Sequence, residues 1–381
     1  MTRRFVLFVL LIWISSLSLQ AQVLNYEVGA DSVRNTIVPV ISYGSDKGLI
    51  GGIIYDRTNY KGDTEPYRNR LKGKVLGSTL GFVEVEAIYE QPRTWNSPVR
   101  SVVDLHFHRY KADNYFGIGN DRPFKEKGYK NGFYDYKSVG WELSIDGYYP
   151  VYKGRNNRQL DLQFGVGIEY ENPVARGDST SFALYPPKGS KGGWSNYISA
   201  GLIFENRDRT YDPRHGNLTS IRLSYSPGFV GDFSLVSTHG QFRQYFQPFS
   251  FLTIANMLNL RYVGGDIPFW KMSTLGDDNT LRGYPLNRFQ GNASVAYSLE
   301  LRSWLLKFPQ FYKLRIGGHL FTDIGRVFTR EDEFKDTFRG YHQTFGIGGT
   351  LSILESDFIL RGELGFSEDT TRIYIGLGYL F

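Results

Sequence analysis

The C-terminal stretch TRIYIGLGYLF (Thr371–Phe381) puts Ile373, Ile375, Leu377, Tyr379 and Phe381 on one face. Arg372, Tyr374, Gly376, Gly378 and Leu380 fall on the other. Period two is the side-chain repeat of a β-strand, not of a helix. ASVAYSLELRS repeats it, with Ala293, Val295, Tyr297, Leu299 and Leu301 against Ser294, Ala296, Ser298, Glu300 and Arg302. SDFILRGELGF sets Phe358, Leu360, Leu364 and Phe366 against Asp357, Arg361 and Glu363. About sixteen such segments account for most of the chain. They lie near 36–44, 49–58, 69–78, 80–91, 99–112, 137–150, 159–171 and 193–206. The rest lie near 218–227, 232–247, 250–264, 293–306, 312–327, 342–353, 356–366 and 371–381.

Alternation of this kind fits a sandwich, whose apolar faces meet each other, or a membrane barrel, whose apolar face meets lipid. Glu300, Arg302, Arg361 and Glu363 all fall opposite apolar residues, which suits a polar interior. The even strand count suits a bacterial barrel, as do long connections at 113–136, 172–192 and 265–292 alternating with short ones such as 248–249 and 307–311. The stretch 59–68 is longer than an inner turn requires. Composition agrees: 27 Tyr and 28 Phe can form interfacial girdles, and 43 Gly suit curved strands. The fold class expected is all-β, a transmembrane antiparallel barrel of about sixteen strands.

The N-terminus sets the compartment. Arg3 and Arg4 precede the apolar run FVLFVLLIWI and the small and polar SSLSLQAQ, the pattern of a signal peptide cleaved after Ala21. The run is shorter than the roughly 20 residues a membrane helix needs. Residues 1–21 are therefore expected to be a signal peptide, 22–35 a short periplasmic leader and 36–381 the barrel. Localisation follows as the bacterial outer membrane, with lipid and lipopolysaccharide as surroundings. The formal charge of +6 falls to +4 without Arg3 and Arg4, too mild to argue for nucleic acid. With no Cys, the exported fold has no disulfide and depends on its hydrogen-bond ladder and packing.

Between two alternating segments lies TLRGYPLNRFQGN, with Leu281, Arg282, Gly283, Tyr284 and Pro285 at its centre. Gly283 and Pro285 break regular structure, so this is a loop. A barrel of this width leaves a lumen that a loop can fill. An arginine carried inward loses hydration and needs an anion on the wall. The strand KLRIGGHLFTDIGRVF supplies one: Lys313, Arg315, Gly317, His319, Phe321, Asp323 and Gly325 share a face, with glycines leaving room for a docked loop.

These two stretches carry a resemblance. LRGYP resembles the VRG(F/Y) loop of the BamA/TamA superfamily, the bacterial surface antigen family, which includes two-partner secretion transporters. FTDIG (Phe321–Gly325) resembles its (F/G)xDxG strand signature, carried here by Phe321, Asp323 and Gly325. In that family the first motif sits in the sixth outer loop, between strands 11 and 12, and the second in strand 13. Counting by alternation places Arg282 and Asp323 in those positions. NYFGIGND (Asn114–Asp121), ENRDRTYDPRHGN (Glu205–Asn217) and the terminal Phe381, a C-terminal barrel signature, also fit. The resemblance covers essentially the whole mature barrel.

The resemblance implies that the sixth outer loop folds inward and that Arg282 pairs with Asp323. It also implies insertion of proteins, or lipids, into the outer membrane or their translocation across it, with outer-membrane or secreted proteins as clients. A weak seam between first and last strands belongs to that activity. Pro39 in the first strand and Gly376 and Gly378 in the last fit such a seam, or an ordinary kink. The short leader leaves no room for a POTRA domain, so a periplasmic or membrane protein partner is expected in its place.

Other constellations are weaker. His106 and His108 share a face with Asp104 but show no third ligand, so no metal is expected. His319 could join the loop network. GIGGT and YFGIGN precede no helix, so no phosphate cradle or cofactor is expected. No nucleophile with a placed base stands out, so the protein is not expected to be an enzyme. A passive pore is the competing function, and a barrel lipase or protease ranks last.

Overall fold

The computed structural model describes residues 32–61, 66–155, 157–311, 313–353 and 359–381. The expected signal peptide and most of the expected leader lie outside the described residues, as do Asp357 and Phe358. Sixteen antiparallel strands close into a barrel. In chain order they are β1 (Val33–Gly44), β2 (Gly48–Asn59), β3 (Asn69–Ser78), β4 (Val83–Gln91), β5 (Arg100–Asn114), β6 (Asp135–Lys153), β7 (Gln159–Ala175) and β8 (Tyr197–Glu205). They continue with β9 (Gly216–Ser226), β10 (Leu235–Phe249), β11 (Leu252–Gly265), β12 (Ala293–Phe308), β13 (Leu314–Phe328), β14 (His342–Ser352), β15 (Ile359–Phe366) and β16 (Thr371–Leu377). Each strand pairs with its sequence neighbour, and β16 returns to β1.

Alternation decides which way each side chain points. On β12, Ser294, Ala296, Ser298, Glu300 and Arg302 are buried while Leu301 is exposed. On β16, Arg372 and Tyr374 are buried while Ile373, Ile375 and Leu377 face out. The outward apolar residues form the lipid-facing band of a membrane barrel. Among the described residues no helix is long and apolar enough to cross a membrane.

Three differences from the sequence expectation have local causes. The first strand begins at Val33 rather than near 36 and pairs with β2 from there, Val33 opposite Asn59. The fourth begins at Val83 rather than 80, because Gly81 (φ 83°) turns the chain at Ser78–Phe82. The third concerns Tyr379 and Phe381, which alternation puts on the outward face. The last strand instead ends at Leu377, because Gly378 adopts φ 77° and bends the chain. Phe381 is buried with Tyr245, Ala255 and Met257, and its carbonyl accepts from Arg302 Nη2 at 2.8 Å. Tyr379 stacks under the Arg302 guanidinium, 4.1 Å away. The terminal aromatic thus belongs to the interior and not to the lipid face.

The longest connections gather at one rim: 115–134, 176–196, 266–292 and 329–341. Beneath them Tyr115, Tyr136, Phe182 and Phe269 form an aromatic cluster that joins three of these loops.

Candidate functional site

The segment between β11 and β12 is built in layers. Asp266 is followed by a short 3-10 turn (Phe269–Lys271) and a small hairpin pairing Ser273–Leu275 with Phe289–Gly291. At its tip Asp277 Oδ1 accepts from the backbone N–H groups of Asn279 and Thr280, both at 2.8 Å, closing a tight turn. That turn delivers Leu281 and Arg282. Leu281 and Tyr284 bury against Leu275, Phe289, Ala296 and Val327, which anchors the apolar side of the tip. Tyr284 meets Phe289 edge-on, ring centroids 5.0 Å apart, and so is a packing residue.

Arg282 is 0% exposed. Its Nε and Nη2 donate to Asp323 Oδ2 and Oδ1 at 2.9 and 2.8 Å, a bidentate fork. Its backbone N–H adds a third bond to Asp323 Oδ2 at 3.2 Å. Nη1 bridges Glu300 Oε1 at 2.6 Å and Glu363 Oε1 at 3.0 Å. The face of the guanidinium lies 3.5 Å from the centre of the Phe321 ring. β12, β13 and β15 therefore each contribute one carboxylate from their buried face. Burial pulls the Arg282 pKa down, but Asp323 and then Glu300 and Glu363 outweigh it and raise it well above its ordinary value.

Each residue of the two motifs has a separate task here. Gly283 (φ 108°) leaves backbone against backbone: a Cβ there would meet the Phe366 carbonyl carbon at 2.9 Å. Gly365 answers it, since a Cβ on that residue would meet Arg282 C at 2.9 Å. The Gly283 N–H donates to the Tyr374 hydroxyl at 3.1 Å, and its carbonyl accepts from Ser367 and Thr370. Pro285 leads into a turn in which its carbonyl accepts from Arg288 N–H at 3.2 Å. On β13, Phe321 stacks on the guanidinium, Asp323 clamps it, and Gly325 clears space for Leu275 and Leu281. The remaining signature residue, Phe381, lies near the network through Arg302, whose Nε donates to Glu300 Oε2 at 2.8 Å.

Alternation alone puts Glu300 and Glu363 on the inward face without showing what they hold. Their signal lies in the alternation: two acids opposite apolar residues, Glu300 on the strand beside Asp323 and Glu363 two strands away from it. His319 joins this network, its Nε2 lying 2.7 Å from Glu363 Oε1. Glu300, His319 and Glu363 bring ligand-type atoms within 4.8 Å of one another. The Arg282 Nη1 sits on both carboxylates, so a guanidinium already occupies the position a metal ion would take. His106 and His108 do not converge on a common point. His106 Nε2 faces Glu84 at 3.3 Å, while His108 Nε2 faces Glu171 at 3.1 Å.

Two further ties hold the segment at the rim. Leu286 N–H donates to Asp46 Oδ1 at 3.1 Å, in the β1–β2 turn. Arg372 of β16 donates to the same oxygen at 2.9 Å, and Arg288 pairs with Asp369.

The barrel resembles solved outer-membrane structures. BamA from Haemophilus ducreyi lacking POTRA domains 1–3 aligns with a TM-score of 0.64 and 16% identity, covering 91% of this chain and 71% of that one. CdiB from Escherichia coli aligns with a TM-score of 0.59 and 10% identity, covering 90% and 63%. CdiB from Acinetobacter baumannii gives 0.51 and 12%, covering 91% and 59%. This chain thus spans about six-tenths of the length of the CdiB chains. At these identities the likeness shows the fold. No curated protein matches the sequence. The Omp85 superfamily domain, however, matches residues 76–381, most of the chain. Together with the closed sixteen-strand barrel, that match makes this protein a member of the Omp85 superfamily, an outer-membrane barrel of the BamA type.

Proposed function

We propose that this barrel inserts proteins into the outer membrane, or passes them across it, with a partner protein delivering the clients. In this reading the β11–β12 segment is the inward-folded sixth outer loop. Arg282 fixes it to the wall, and the seam between β1 and β16 is where a client strand engages. The observation that carries the reading is the fully buried Arg282 held by three carboxylates, in a segment that also bonds to Asp46 beside the seam. The reading assigns no catalytic step and no cofactor. Partner and client are recognised by exposed strand edges, which supply unpaired N–H and C=O groups.

The test is a set of variants scored for outer-membrane protein assembly or export in the native host. Arg282→Ala and Asp323→Ala are each expected to impair the process, to a similar degree, and the double variant is expected to be no worse than either. Breaking a buried ion pair costs about 3–5 kcal/mol, and although Glu300 and Glu363 stay on Arg282 after Asp323→Ala, both variants undo the bidentate fork that holds the segment. Single variants that differ strongly, with a double variant worse than both, would show that the pair is not the working unit. Should the barrel instead be a passive pore, the unmodified protein would conduct steadily in planar bilayers and crosslinking would recover no protein neighbour.

A further inference from the structure

The outer wall carries a recess of about 420 Å³ between β9 and β13. Its lining includes Ile221 of β9, Gly240 of β10, Leu260 and Tyr262 of β11, Ala293 of β12 and Phe328 of β13. The ladder sets it in two rows. Ile221 is opposite Gly240, Gly240 opposite Leu260 and Leu260 opposite Val295. Thr238, Tyr262, Ala293 and Phe328 form the next row, nearer the rim of long connections. Directly opposed residues share one face of a sheet. Ile221, Leu260 and Tyr262 are exposed among the lipid-facing residues, so the recess belongs to that band and not to the lumen. It exists because Gly240 and Ala293 are small where their neighbours are large. A Cβ added at Gly240 would meet Leu260 Cβ at 3.9 Å and nothing nearer. Ile221 is the middle residue of β9 and Phe328 the last of β13, so the recess runs from the middle of the band to its outer margin.

The β13–β14 connection roofs the upper end. Arg326 is opposite Val295 in the ladder and so shares the outward side, yet it is only 4% exposed. The connection covers it: Arg326 Nη2 donates to Asp332 Oδ1 at 2.6 Å, and Nη1 donates to the Arg339 carbonyl. Thr337 of the same connection reaches the lining of the recess. This connection therefore leans over the outside of the wall. Its 3-10 turn (Phe334–Phe338) leaves Phe334 and Phe338 82% and 76% exposed, their ring centroids 5.7 Å apart. Two uncovered phenylalanines are costly in water and suit the boundary between headgroups and acyl chains. A cation stands above Tyr262. Arg330 donates to the Gly265 carbonyl at 2.6 Å and, among the described residues, forms no ion pair. The neighbouring cations are spent, Lys335 on Glu333 and Arg339 on Asp336. Gly265 is three residues beyond Tyr262, about 10 Å along the strand.

We propose that this recess holds one acyl chain of a lipopolysaccharide molecule of the outer leaflet, with a phosphate of the same molecule on Arg330. The recess is continuous with the lipid-facing band, so hydrocarbon is what meets it in the membrane. Its floor at Gly240 and Ala293 and its walls at Ile221, Leu260 and Phe328 offer a chain contact on several sides, where the rest of the band offers a convex surface. A second barrel fits less well. The leaning connection and its two exposed phenylalanines keep a broad wall from the floor, whereas a flexible chain reaches it. Position selects the lipid, because the recess ends at the rim of long connections and so lies in the outer leaflet. Charge agrees: the Arg330 guanidinium at that rim lacks a carboxylate and presents a fork of donors that suits phosphate oxygens. The recess lies outside the barrel, apart from Arg282 and from the β1–β16 seam, so its fate does not decide whether the barrel handles client proteins.

Two measurements on the full barrel test this. In the first, the protein is extracted from native outer membranes in mild detergent and its retained lipid is weighed by native mass spectrometry. A lipopolysaccharide adduct is expected in wild type. Gly240→Leu, which fills the recess and keeps the wall apolar, should lower that adduct about tenfold or more, and Arg330→Gln several-fold. Ala293→Leu fills the other end and serves if Gly240→Leu fails to fold, which heat-modifiable gel mobility reveals. In the second, a benzophenone amino acid replaces Thr238 and is photolysed in living cells, where a lipopolysaccharide adduct is expected. Absence of any lipid adduct, a phospholipid in its place, or an adduct equal in wild type and Gly240→Leu overturns the proposal. So does a protein adduct at Thr238, or a two-barrel mass that disappears in Gly240→Leu, which gives the recess to a second copy.

Discussion

Two stretches of the wall are built very differently. β6 and β7 pair without a gap wider than one bulge from Tyr136↔Ala175 to Lys153↔Gln159, giving long strands that stand beyond the rim. At the closure, β1 and β16 share two pairs, Tyr43↔Ile375 and Gly44↔Tyr374. β1 is fully paired to β2 on its other edge, so among the described residues Val33 to Ser42 have no ladder partner on their remaining edge. Pro39, with no N–H to offer, lies in that bare stretch. What the ladder lacks, side chains at the outer end replace. Ser45 bonds to Ile373 through its backbone and its hydroxyl. Asp46 gathers Arg372, Leu286 and the Tyr129 hydroxyl. A wall held by backbone opens only by unfolding, whereas one held by a few side chains at one end can part locally.

The comparison breaks most directly by covalent closure. Tyr43→Cys/Ile375→Cys, oxidised, is expected to abolish protein assembly or export in the host, with recovery on reduction. Leu143→Cys/Ile168→Cys, across β6 and β7, should leave it unchanged. Equal effects would mean that the seam has no special role. Next in size, amide hydrogen exchange should be at least about 100-fold faster at Val33–Ser42 than along β6 and β7, because the bare edge is protected on one side only. Equal protection would place an undetected partner on β1. Gly365→Ala, whose new methyl would press on Arg282, is expected to cost about 1–3 kcal/mol in urea unfolding and to loosen the clamp. An unchanged midpoint would show that the loop yields easily.

The smallest effect concerns pH. Burial raises the Asp46 carboxyl above its usual range, although Arg372 opposes the shift. The folded state therefore holds this proton to a higher pH than the unfolded chain does. Its contribution to stability is complete below the ordinary carboxyl pKa and is lost as pH rises through the raised value. Asp46→Asn should remove that part of the pH dependence of thermal unfolding. A pH profile identical to wild type would exclude Asp46 as its source.

The strands were legible because a lumen and a lipid phase impose opposite polarity on alternate residues, as Glu300 and Leu301 show. Alternation failed at Phe381 because it carries no information on φ: Leu377-Gly378-Tyr379 reads as strand until the glycine turns left-handed. The clamp was legible only in part. Order and spacing pointed to Asp323, whose strand also bears the space-making glycines. Glu300 and Glu363 lie 18 positions after and 81 positions after Arg282, and only closure of the sheet shows that their carboxylates meet.

The Arg282 clamp also bears on the order in which the molecule assembles. Every acid it uses, and the Tyr374 hydroxyl that receives Gly283, comes from β12, β13, β15 or β16, all later in the chain. The C-terminal third can therefore bury its charges before the N-terminal strands arrive. A curved sheet of β11–β16 wrapped around its own loop is then the expected nucleus, with β1 the last strand to dock.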